Sequence, residues 1–152
     1  PTLTPEKIAL AMHVDPKEQS DLEALNKNGW MLMNPRAYCG TPWDFQSFVG
    51  GSKAEFGIAK SGYVKSQSGW FSDRSAVYLA SGRPVLAQST GMEKFLPVGK
   101  GLLSFGTCDD ALTAIESLNS RYDEHSRAAR ALACEYLDSD KVLRALLDKI
   151  GF

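Results

Sequence analysis

Cysteine and histidine are scarce in this 152-residue chain, and no long apolar run interrupts it. The three cysteines, Cys39, Cys108 and Cys134, are odd in number and far apart, with no C-x-x-C spacing. That pattern argues against a disulfide framework or a zinc site, and reduced thiols are the expectation. No stretch approaches the ~20 apolar residues that a bilayer span requires. Pro1 to His13 has neither the basic start nor the apolar core of a signal peptide, so the expected setting is the cytoplasm, with no membrane span. The chain starts at Pro1 without a Met, which fits either removal of an initiator ahead of a small residue or a piece of a longer polypeptide; both stay open. Net charge is also lacking, because 17 basic residues face 18 acidic ones. No global field draws in nucleic acid or an anionic membrane, and any anion site must be local.

Apolar residues make up 43% of the chain. At this length they can supply a core burying roughly 70% of the surface of the unfolded chain, so one domain over 1–152 is expected without staples. Lys7 to His13 is a run of strand length. The D-P-K-E at Asp15 to Glu18 then offers an N-cap, a Pro at the first helical position and a capping-box Glu, with Leu22 and Leu25 as the apolar stripe and Gly29 as the C-terminal cap. Trp30 to Met33 reads as the next strand. Pro35 to Trp43 is loop-like, and Thr41-Pro42 starts a helix carrying Phe45, Phe48 and Val49, ended by Gly50-Gly51. Glu55 to Ala59 is a third strand, and residues 60–71 form a long surface loop. A helix from Ser72 to Ser81 is stopped by Gly82. Arg83 to Ala87 and Gly101 to Phe105 are strands, followed by helices over Cys108 to Asn119, Tyr122 to Leu137 and Ser139 to Lys149. Strands alternating with helices predict an α/β fold, a Rossmann-like doubly wound parallel sheet with C-terminal helices, and no inter-domain linker is visible.

The chemistry concentrates in residues 68–105. A glycine-containing loop opens onto the helix at Ser72, where unpaired N–H groups and the helix dipole favour a phosphate. Ser72, Asp73 and Arg74 offer backbone donors there, and the Arg74 guanidinium suits phosphate oxygens as a fork. The string Y-L-A-S-G-R-P-V-L-A at 78–87, a T-G turn and G-K-G-L-L-S-F then follow. Together with D-D-A-L-T-A-I at 109–115 and R-A-A-R-A-L-A at 127–133, they resemble the C-terminal, nucleotide-sugar-binding domain of GT-B-fold glycosyltransferases of the family 1 and 4 type.

That resemblance implies a domain holding the nucleoside diphosphate of a sugar donor; no metal and no cofactor are expected. It places Gly69, Trp70, Phe71 and Ser72 on the family's phosphate loop. It places Val77 where many members carry a ribose-binding Glu, which is therefore absent, and Gly69 at the first position of an absent carboxylate pair. It also implies that the acceptor site and the catalytic base lie in an N-terminal domain, to which nothing in this chain corresponds, so no catalytic residue is assigned.

Each candidate also has a plainer role. Ser72 and Asp73 can cap a helix, Arg74 can be a solvated charge or neutralise Asp73, and Phe71 suits the core better than Trp70, the better ligand candidate. Lys60, after a strand, and Thr90 and Gly91, in a turn, are additional ligand-facing candidates. His13 ends a strand without a visible partner, and His125, in a charged helix, is expected at the surface. The competing function is a non-catalytic α/β module that binds another protein or a second copy through the Trp70 loop. A phosphoacceptor receiver is rejected, because His13 and Lys60 follow the strands where it needs carboxylates.

Overall fold

The structure is a computed structural model and describes residues 1–151. It is α/β and divides into two compact units, Pro1–Gly51 and the remainder from Ser52 onward.

Unit 1 contains β1 (Ala9–Ala11), α1 (Gln19–Lys27), β2 (Met31–Met33), α2 (Pro35–Tyr38) and α3 (Pro42–Gly51). β1 and β2 pair in parallel, with Leu10 opposite Leu32. The first helix starts four residues after the expected cap. The Asp15 carboxylate accepts the Lys17 N–H at 2.9 Å and the Asp15 carbonyl accepts the Glu18 N–H at 2.9 Å, so D-P-K-E closes a turn ahead of the helix. Gly29 follows the C-cap with φ +75, the left-handed geometry expected of it. The segment read as loop holds the short α2, with Pro35 in its first turn and the Asn34 side chain accepting the Arg36 N–H at 3.0 Å. α3 starts at Pro42 as expected, where Thr41 and Asp44 cap each other reciprocally at 3.1 and 3.2 Å. Val49 is the one buried residue of unit 1.

Unit 2 contains β3 (Glu55–Gly57), α4 (Ser61–Ser66), α5 (Asp73–Ala80), β4 (Val85–Gln88), a 3-10 turn (Met92–Lys94), β5 (Leu102–Phe105), α6 (Cys108–Ser120), α7 (Tyr122–Tyr136) and α8 (Ser139–Ile150). The strands lie in the order β3-β4-β5, all parallel, with Phe56 opposite Leu86 and Leu86 opposite Leu103. Those residues and Phe105 pack against Ala111, Ala114 and Leu118 of α6, and the Phe56 and Phe105 rings stack at 5.3 Å. The alternate residues Glu55, Val85 and Leu102 turn to the opposite side of the pleat, the side on which α5 reaches Glu55. Leu79, Val85, Leu102 and Ala129 have no exposed surface, and full burial of one such leucine stabilises by roughly 1.5–3 kcal/mol.

All five strands expected from the sequence are present, but they hydrogen-bond as a pair and a triplet of parallel strands. Two other expectations are corrected. The 60–71 segment carries α4, so it is not loop throughout. His125 is fully buried where a surface position was expected. The cause lies outside its own helix: α7 crosses the start of β5 so closely that a Cβ on Gly101 would meet the Ala129 nitrogen at 2.3 Å. The Gly101 N–H donates to His125 Nδ1 at 3.3 Å, and Nε2 lies 3.1 Å from the Ser117 hydroxyl. Nδ1 is thus an acceptor and the imidazole is neutral, its proton on Nε2. Burial, aided by the Arg121 charge, lowers its pKa against the opposing pull of Glu124.

Candidate functional site

The candidate site is built where the parallel strands of unit 2 end. Residues beyond β3 and β4 meet the start of α5, and Ala59, Trp70, Ser72, Arg74 and Gln88 border a cleft of only about 10 Å³. It is a narrow slot under a loop, with room for a water molecule rather than an enclosed ligand. The positioning bonds are local and specific. The Gly69 N–H donates to the Thr90 carbonyl at 2.7 Å, and the Thr90 hydroxyl donates to the Trp70 carbonyl at 2.6 Å. Gly91, at φ +86, lies so near the Gln67 carbonyl that a Cβ would stand 2.9 Å from it. The buried Thr90 and Gly91 therefore tie the 67–70 loop to the end of β4.

Trp70 stacks on Tyr63 at 4.9 Å with the rings 9° from parallel, leaving 38% of the residue exposed. Phe71 is half-buried. Ser72 is the buried N-cap of α5, but its side chain takes no helix N–H; the hydroxyl donates instead to the Asp73 carboxylate at 3.4 Å. Asp73 Oδ1 accepts the Arg74 N–H at 2.8 Å. The Arg74 guanidinium does not turn to Asp73. Its Nε meets Glu55 Oε1 at 2.5 Å, a pair in which Glu55 is 5% and Arg74 51% exposed. The two Nη groups of Arg74 have no partner among the described residues, and Glu55 Oε2 is buried without one. Lys60 is exposed at the N-cap of α4 and does not border the slot. Val77, at the position of the missing ribose Glu, is 40% exposed.

Gly69 to Arg74 are thus brought together at one sheet edge with Thr90 and Gly91, while Lys60 stands apart. Two participants escaped the sequence reading. Glu55 anchors Arg74, and the only signal was a charge at the start of an otherwise apolar strand. Tyr63 supports Trp70, and an aromatic seven residues earlier in a polar stretch was its signal. Among the described residues, no group of three or more His, Cys, Asp or Glu is placed to hold a metal, all three cysteines are free, and no helix is long and apolar enough to cross a membrane. Compared with protein-family profiles, curated proteins and solved structures, the chain matches none.

Proposed function

We propose that this chain is the donor-nucleotide-binding part of a GT-B-type glycosyltransferase, its strands belonging to a doubly wound Rossmann-like layer, with the diphosphate of a nucleotide sugar bound at Gly69 to Arg74. The observation that carries the reading is the start of α5. A helix has N–H groups in its first turn with no intrahelical acceptor, Ser72 leaves them uncapped by its side chain, and Arg74 stands beside them with both Nη groups unpartnered. Glu55 fixes Nε and so presents the guanidinium fork outward, the geometry in which arginine binds phosphate oxygens in pairs. Trp70, rigidified on Tyr63, offers an aromatic face for a base. Asp73 accepts the Arg74 N–H, so a phosphate at this position displaces its carboxylate and binds more weakly for it. On this reading an N-terminal GT-B domain or a second copy closes the site and supplies the acceptor and the base, since transfer needs a positioned base at the nucleophile.

Arg74→Lys tests the reading by calorimetry with UDP, GDP and ADP. Lysine keeps a cation beside Glu55 but lacks the fork, so affinity is expected to fall roughly tenfold while the melting temperature holds. Equal affinity in the variant removes Arg74 from the site. The second reading, a non-catalytic module for protein contacts, is favoured by α8, whose Val142, Leu143, Leu146, Leu147 and Ile150 are 46–62% exposed. It predicts no saturable nucleotide binding at all.

A further inference from the structure

Unit 1 has its own opening at the ends of its strands. Val14, beyond β1, and Asn34 and Arg36, beyond β2, face an open groove of about 640 Å³, with Leu22 of α1 and Leu32 of β2 also lining it. Parallel α/β layers take ligands where the chain leaves the carboxyl ends of the strands, and small-molecule sites occupy roughly 300–1,000 Å³. The lining is one-signed. Its titratable side chains are those of His13 and Arg36, and no carboxylate borders it. Both are exposed and neither side chain makes a hydrogen bond or an ion pair among the described residues, so the Arg36 fork is open to a ligand beside an apolar wall.

We propose that this groove binds a small amphiphilic anion. Its carboxylate or phosphate head lies on the Arg36 guanidinium with His13 and the Asn34 amide beside it, and its apolar body lies along Leu22 and Leu32. An arginine without a carboxylate partner gains charge-assisted, bidentate bonds from such a head group. The apolar wall adds affinity in proportion to the area it covers, which an inorganic anion cannot use. The site belongs wholly to unit 1 and does not rest on the nucleotide reading of unit 2.

The test is an amide-resolved NMR titration of the full 152-residue chain with hexyl phosphate, hexanoate, inorganic phosphate and hexan-1-ol. Hexyl phosphate or hexanoate is expected to move the amides of residues 12–14 and 32–36 saturably, and which of the two binds tighter assigns the head group. Inorganic phosphate and hexan-1-ol are expected to bind at least about fivefold more weakly, and Arg36→Gln to weaken the preferred anion by a similar factor. If the spectrum of the free Gln variant shows disturbed folding, Arg36→Lys gives the same readout, since it keeps the charge and loses the fork. The proposal is overturned if neither amphiphilic anion moves these amides, if hexan-1-ol binds as tightly as the anions, or if a folded Arg36 variant retains full affinity.

Discussion

At Gly101 the backbone adopts φ +76 and presses against Ala129 of α7, so the residue meets two requirements that only glycine satisfies together. An added Cβ both strains the left-handed conformation and collides with helix backbone that cannot swing aside. Gly101→Ala is therefore expected to destabilise the chain by about 3 kcal/mol or more in urea unfolding, against about 1 kcal/mol for Gly→Ala at an unhindered left-handed site. A loss under 1 kcal/mol contradicts the close crossing. His125 lies at the same crossing and sets a pH dependence. Its pKa is lowered in the folded chain from an ordinary value of 6.5, so below pH 6.5 the unfolded chain takes up a proton that the folded chain resists. The contribution is intact above that pH and is lost as the pH falls towards the folded pKa. Comparing urea midpoints at pH 7.5 and 5.5 should show this loss in the parent chain and a smaller one in His125→Gln. Equal losses would remove His125 as the titrating group.

The elements differ in how much of their stability comes from packing. α7 buries His125, Ala129, Leu132 and Ala133, whereas every residue of α8 is exposed. α8 is nonetheless well bounded, with Asp138 accepting two first-turn N–H groups and Gly151 at φ +85. Caps of this kind contribute about 1 kcal/mol each, and a 12-residue helix without packing is marginal in water. Ending the chain after Asp138 should shift the melting temperature of unit 2 by no more than about 3 °C. A larger fall in a thermal scan would mean that α8 covers core surface. The same contrast explains what the sequence made legible. Strands announced themselves as apolar runs, and the three C-terminal helices were read within a residue or two of their observed ends, whereas their caps at Thr107 and Asp138 came only with the structure. The start of α1 was misplaced because Asp15-Pro16 serves a turn as readily as a cap. α4 went unread because Ser61, Gly62 and Ser66 carry turn propensity; within the helix the Ser66 hydroxyl bonds back to the Gly62 carbonyl at 2.8 Å, the local side-chain bond that makes serine a poor helix signal.

Across the whole molecule, what stayed illegible was long-range. Local sequence showed a glycine loop opening onto a helix, which singled out Ser72 to Arg74, while Gly69 to Phe71 joined them through the family resemblance. The partner of Arg74 lies 19 residues away on β3, and the tie of Thr90 to Trp70 spans 20 residues; neither spacing leaves a periodic trace. His125 was misread by the same rule, since its charged neighbours Glu124 and Arg127 describe its helix and not the strand end it meets. The two units also differ in burial, with a single buried residue in unit 1 and a continuous core in unit 2, a contrast that composition averaged over the chain conceals. The central claim, phosphate recognition at the start of α5, is tested most directly by titrating the isotope-labelled chain with UDP and following individual backbone amides. The account predicts saturable shifts centred on Trp70 to Ser75, fading with added salt as charge-based contacts are screened. Saturating nucleotide that leaves those amides in place, while others move or none do, contradicts it.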